Sequence, residues 1–236
     1  MESKILAVRD ISEYNPIDAY DILFGIIDKD DFFEKSIQEI KFIEDYKIKS
    51  HWDDLKYDIF NNNKIYIRGY GRDAKKTDYF LEFYKNLFGN TNIKKDSTNN
   101  AQPTKLIAGL TNYAKVNTGT FKEKKLIVNY QVSHLFGKTK NPFLFNCAWN
   151  IAYIPKYLDP FTGHESQGQH SSRFKQHFEP LIKEKYKEFI VDYNEEINKL
   201  EPKFEEAFKL TKEKFGLTKD EFKRFESDCL SELSKI

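Results

Sequence analysis

The sequence predicts an α+β chain, mainly helical, with a small strand-containing core near its middle and a long helical segment at its C-terminal end. Three observations lead there. Apolar residues recur at helical spacing toward both ends of the chain, short apolar runs suited to strands fall in the middle, and Gly, Pro and Asn punctuate the junctions. With 236 residues the chain can bury a core in one large domain or two small ones. The 21 Phe and 14 Tyr mean that rings, more than aliphatic side chains, fill that core.

In chain order, Asn15-Pro16 reads as a helix start, Asn capping and Pro at the first helical position. Ile17, Tyr20, Leu23, Phe24 and Ile27 follow at helical spacing. A second helix is expected over 31–46, with Phe33, Ile37, Ile40 and Ile43 on one face. The apolar pattern of Trp52, Leu55, Tyr57, Ile59 and Phe60 carries no firm assignment, and Asn61 to Asn63 form a turn. Lys64 to Tyr70 alternates as a strand, ended by Gly69 and Gly71. Thr77 is expected to cap a helix over 78–88 that Gly89 closes. Residues 90–104 read as a polar loop, Pro103 opens a helix toward Tyr113, and 115–124 lead into a strand over 125–132.

Past the centre, Phe178, Leu181, Ile182, Phe189, Ile190, Tyr193, Ile197 and Leu200 keep helical spacing until Pro202. Phe204 and Phe208 extend a further helix to Gly216, and Thr218 with Glu221 forms a capping box for the last one. The expected division is a mixed N-terminal region over 1–120, a central unit over 121–178, and C-terminal helices over 179–236 that can pack with the rest.

The net charge of +1 selects no class of partner, because a near-neutral protein can still gather cations on one face. Cys147 and Cys229 are far apart, with no C-x-x-C pair, so neither a disulfide framework nor a cysteine-rich zinc site is expected. No stretch approaches the ~20 apolar residues of a membrane span, and the N-terminus lacks the apolar run of a signal peptide. A soluble, cytoplasmic protein is expected.

The chemistry concentrates in Tyr130 to Ser166. His134 follows an apolar β-like run, Asn150 opens a second one, and His164 follows the turn Thr162-Gly163. Phosphodiester hydrolysis needs a base to activate water and a cation to offset charge on the phosphate and the leaving oxygen. Histidine suits the first role, and a divalent ion held mostly by water suits the second. The run HESQGQH does not form a zinc-protease motif, because its histidines are six residues apart and position 168 is Gly.

Over about 125–175 the residues resemble the HNH, or ββα-metal, nuclease superfamily. In that pattern a His ends the first strand, an Asn opens the second, and a His or Asn lies on the helix that follows. The resemblance implies a ββα-metal-like catalytic core over 121–178, with His134 as general base. It makes Asn150 the residue that pins the loop orienting His134, through side-chain hydrogen bonds to backbone, and His164 a ligand to a divalent metal ion, Mg²⁺ or alternatively Mn²⁺. Many members carry Asp or His just before the base as a second ligand; here that position is Ser133. Asp159 is the candidate to supply the missing ligand, against a turn role before Pro160.

Arg68, Arg72, Lys75 and Lys76, beside Gly69 and Gly71, are candidate phosphate contacts. Lys138 and Lys140 are placed where inserts in the resembling family press on the DNA backbone, while Phe143, Phe145 and Trp149 read chiefly as core. His170 and His177 read as polar surface residues, with His170 beside Arg173 as an alternative phosphate contact. Together these features suggest a sequence-specific endonuclease acting on double-stranded DNA, similar to a bacterial type II restriction enzyme of HNH type. Cutting both strands would take a homodimer or successive nicks. The alternatives are a low-specificity defence or toxin nuclease on DNA or RNA, and a non-catalytic nucleic-acid-binding protein with structural histidines.

Overall fold

The computed structural model describes residues 18–71, 74–116, 118–162 and 167–236. It is mainly helical with small sheets, an α+β architecture. Helix α1, Tyr20–Phe24, is short, and the start expected at Asn15-Pro16 lies outside the described residues. Helix α2, Lys29–Gln38, is capped by Asp28, whose carboxylate accepts from the Asp31 N–H at 2.8 Å.

The helix expected over 31–46 stops eight residues early. Between α2 and α3, Asp45–Phe60, the chain turns extended and Lys41 bridges to Tyr153, with backbone bonds of 3.0 and 3.1 Å in the two directions. Sheet pairing wins because Ile40 and Ile43 still reach the core from this extended stretch. In α3, Ile48, Trp52, Leu55 and Ile59 are buried on one face at helical spacing.

Strand β1, Ile65–Ile67, pairs in parallel with β2, Ile93–Lys95, and the crossover between them is helix α4, Ala74–Phe88. Strand β2 lies within the expected polar loop, and only its Ile93 is buried. The helix begins before Thr77, whose hydroxyl is not its cap and instead accepts from the Tyr70 N–H at 2.8 Å. Helix α5, Ala101–Leu110, is held at its start by buried Asp96, which accepts from the N–H groups of Ala101 and Gln102 at 3.1 and 2.7 Å. A second parallel pair joins β3, Tyr113–Ala114, to β4, Lys125–Leu126.

The strand expected over 125–132 is two strands, because Asn129 takes a left-handed φ of 60° between β4 and β5, Tyr130–His134. Strand β5 pairs antiparallel with β6, Ile151–Pro155, from Tyr130 opposite Pro155 to His134 opposite Ile151. All five residues of β6 are buried, with Lys41 on its other edge, which is why it reads as an unbroken apolar run.

After α6, Asp159–Thr162, come α7, Gln169–Lys185, and α8, Lys187–Leu200. The expected continuous helix breaks at Tyr186, whose φ of −111° and ψ of 20° leave the helical region. Helix α9, Phe204–Phe215, ends on left-handed Gly216, and α10, Lys219–Leu233, opens with the expected Thr218–Glu221 capping box. Buried apolar side chains from Phe33 to Leu233 form one contiguous cluster, so the three expected regions share a core. Phe143, Phe145 and Trp149 are wholly inside it or beside it. No helix among the described residues is long and apolar enough to cross a membrane.

Candidate active site

His134 is the last residue of β5. Its Nε2 lies 2.8 Å from the carbonyl oxygen of Phe145, and its ring stacks on that of Phe145 at 5.6 Å. A carbonyl only accepts, so Nε2 carries the proton and Nδ1 keeps its lone pair. Burial holds the imidazole neutral, lowering its pKa to about 4; the Phe145 carbonyl opposes this, and the positive charge of Arg68 adds to it. Nδ1 makes no hydrogen bond among the described residues.

Asn150 is fully buried just before β6. Its side-chain oxygen accepts from the Phe136 N–H at 2.8 Å, and its amide donates to the carbonyls of Leu144 and Gly137 at 2.8 and 3.2 Å. These bonds fasten both limbs of the loop between His134 and β6. The loop's turn depends on left-handed φ values at Gly137 (64°) and Lys138 (51°). Asn150 thus ties its side chain to the backbone of the loop that follows His134.

The loop is also tied to the C-terminal helix. Lys138 donates to the Ser231 carbonyl at 2.8 Å and to the Ser234 hydroxyl, while Lys140 donates to Glu232 at 2.8 Å through Nζ and 3.0 Å through its backbone N–H. Asn141 donates to the Glu232 carbonyl at 2.8 Å. Lys138 and Lys140 therefore spend their ammonium groups within the protein, and burial lowers the pKa of Lys138.

Asp159 opens α6, and its Oδ1 accepts from the Ser133 hydroxyl at 2.6 Å. The carboxylate thus lies beside the residue that precedes His134. Its Oδ2 has no hydrogen bond among the described residues. His164 and Arg72 lie outside the described residues. His170, expected on the surface, is 7% exposed: Nε2 lies 2.8 Å from Asp21 Oδ1, and the ring packs on Phe24. Arg173 pairs with Asp30 at 2.8 Å. His177 is exposed, as expected. Lys75 and Arg68 are exposed, the Arg68 N–H donating to the Thr139 carbonyl at 3.0 Å, whereas Lys76 lies over the Tyr70 ring. Among the described residues no three His, Cys, Asp or Glu side chains cluster as a metal cage.

His134 opens onto a pocket of about 290 Å³ whose walls include Phe136, Lys138, Thr162, Lys175, Glu179 and Lys183. Lys183 had no sequence signal, being one lysine among many on a helical outer face; only its position across from His134 sets it apart.

A family described as "Uncharacterised protein PM1201" matches residues 43–236. The chain belongs to that family. A relative from Pasteurella multocida (strain Pm70), "Uncharacterized protein PM1201", is 40% identical over 190 residues, covering 80% of each chain. The PM1201 match takes in β5, β6, Asn150, Asp159 and all of α7, and leaves out α1 and α2. The partners of His170 and Arg173, Asp21 and Asp30, thus lie outside the matched stretch, whereas every partner of His134 and Asn150 lies inside it. No solved structure matches the chain.

Proposed function

We propose that the chain is a metal-dependent endonuclease that hydrolyses phosphodiester bonds of double-stranded DNA, in the manner of the HNH nucleases it resembles. The observation that carries this reading is the state of His134: neutral, its Nε2–H tied to the Phe145 carbonyl, its side chain among those lining an open pocket. That is the state a general base needs. Nδ1 takes the proton of a water as the water oxygen attacks phosphorus, and the leaving oxygen departs on the opposite side.

Asn150 is a positioning residue. By holding Phe136, Gly137 and Leu144 it fixes the loop that carries the Phe145 carbonyl, and so the tautomer and aim of His134. Asp159, with one carboxylate oxygen uncommitted among the described residues, suits a hard cation that keeps most of its own waters, Mg²⁺ or Mn²⁺; both cysteines are buried and offer no exposed thiolate to a soft metal. His164 joins Asp159 as a ligand on the strength of the resemblance. The bound ion supplies charge neutralisation at the phosphate and the leaving oxygen. Arg68, exposed and close enough for its charge to be felt at His134, contacts a phosphate of the bound strand.

Supercoiled plasmid incubated with Mg²⁺ or Mn²⁺ tests the reading. Discrete fragments from wild type, lost in His134→Ala, are the expected result for a sequence-specific, restriction-type enzyme. A smear lost in the same variant would mean hydrolysis without sequence choice. An intact plasmid with every metal, or cleavage that survives His134→Ala, would sink the proposal.

A further inference from the structure

Helix α7 offers the His134 pocket a one-sided face. Taking 100° per residue, Phe178 and Ile182 point inward and are buried, and Lys175, Glu179 and Lys183 follow along the adjacent stripe at successive i, i+4 positions. The two lysines are about 12 Å apart along the axis, too far to share one phosphate. Neither makes an ion pair among the described residues, although Glu179 stands between them. Apart from Arg68, the other cations considered as phosphate contacts near the site are committed: Lys138 to the last turn of α10, Lys140 to Glu232, Arg173 to Asp30. Two lysines thus remain uncommitted on the wall that faces the base.

We infer that Lys175 and Lys183 form a backbone-phosphate track, so that the strand to be cut lies along α7 with its scissile phosphate at His134. The inference rests on the nuclease reading for its orientation, but the track itself is a binding property. Each lysine takes a separate phosphate as a point charge, and neither reads sequence. Glu179, between them, keeps the strand on the outer line of the face and discourages a phosphate from settling midway.

The test is fluorescence anisotropy with a labelled 20-base-pair duplex, using His134→Ala as the background so that the probe stays intact. Adding Lys175→Ala and Lys183→Ala together should reduce the slope of log affinity against log salt by about 1.8, the sum of two contacts at about 0.9 each. Each single variant should weaken binding by about tenfold at low salt, as expected for loss of a hydrogen bond to a charged group. Lys209→Ala, an exposed lysine on α9, should change neither. Slopes and affinities equal to those of Lys209→Ala would overturn the track, as would no measurable DNA binding by the parent. If the slope falls as stated but wild type leaves DNA intact with every divalent metal, the track stands and the nuclease reading falls.

Discussion

Replacing Asn150 by Ala removes three hydrogen bonds from a fully buried position. The Phe136 N–H and the Leu144 and Gly137 carbonyls lose the partner that the fully buried Asn150 side chain supplies. Each orphaned group costs about 1 kcal/mol at the low end, so the expected destabilisation is about 3 kcal/mol. For a chain of this size that corresponds to a Tm lower by about 6–12 °C. Thermal and urea unfolding measure it. The same change frees the Phe145 carbonyl to drift from His134, so turnover should fall by about 100-fold, the scale of an ångström-level misplacement. DNA affinity should stay within about twofold, since no phosphate contact is touched. A Tm within about 2 °C of wild type would show that the loop does not hang on Asn150. Lost DNA binding with normal turnover would show that the residue's role is recognition.

Three further outcomes follow from the same structure. Burial lowers His134 and His51 to about 4, so the unfolded chain, with ordinary histidines, binds more protons between there and about pH 6.5. Stability is therefore full above about pH 6.5 and lost as pH falls toward 4, by on the order of 3 kcal/mol per histidine; urea midpoints should show this, and His51→Ala with His134→Ala should flatten it. Glu232→Ala strips Lys140 of two bonds and should cost about 2 kcal/mol, with a coupling of about 1 kcal/mol to Lys140→Ala in a double-mutant cycle. At Gly168, φ is 93° and an added Cβ would lie 2.6 Å from Asp18 Oδ2, so Gly168→Ala should destabilise by about 1–3 kcal/mol. Asp18→Ala should restore part of that loss but not the backbone share.

What the sequence made legible was local. The Thr218–Glu221 box and Gly216 announce helix ends because capping is settled within four residues. His134 and Asn150 flank the two strands of one hairpin, so their order and the apolar runs beside them suffice to bring them together. Helix α3 stayed unassigned although Ile48, Trp52, Leu55 and Ile59 are buried at helical spacing, because Tyr57 and Phe60 obscured the period by remaining apolar on the exposed side. Other features depended on distant partners. Nothing near Lys41 says that the chain leaves its helix to pair with Tyr153, and Ile93 alone cannot mark β2 as a strand. Lys138 and Lys140 look like phosphate contacts until α10, some ninety residues on, supplies Ser231 and Glu232. His170 looks like a surface residue until Asp21 and Phe24 close over it.

The central claim is that the lone pair on His134 Nδ1 is the base. Single-turnover cleavage of a labelled duplex in Mg²⁺, comparing wild type with His134→Ala at matched DNA occupancy, tests it most directly. The account predicts a rate lower by about 10²–10⁴ in the variant, the range for loss of a general base, with DNA affinity unchanged. Equal rates in the two proteins would contradict it.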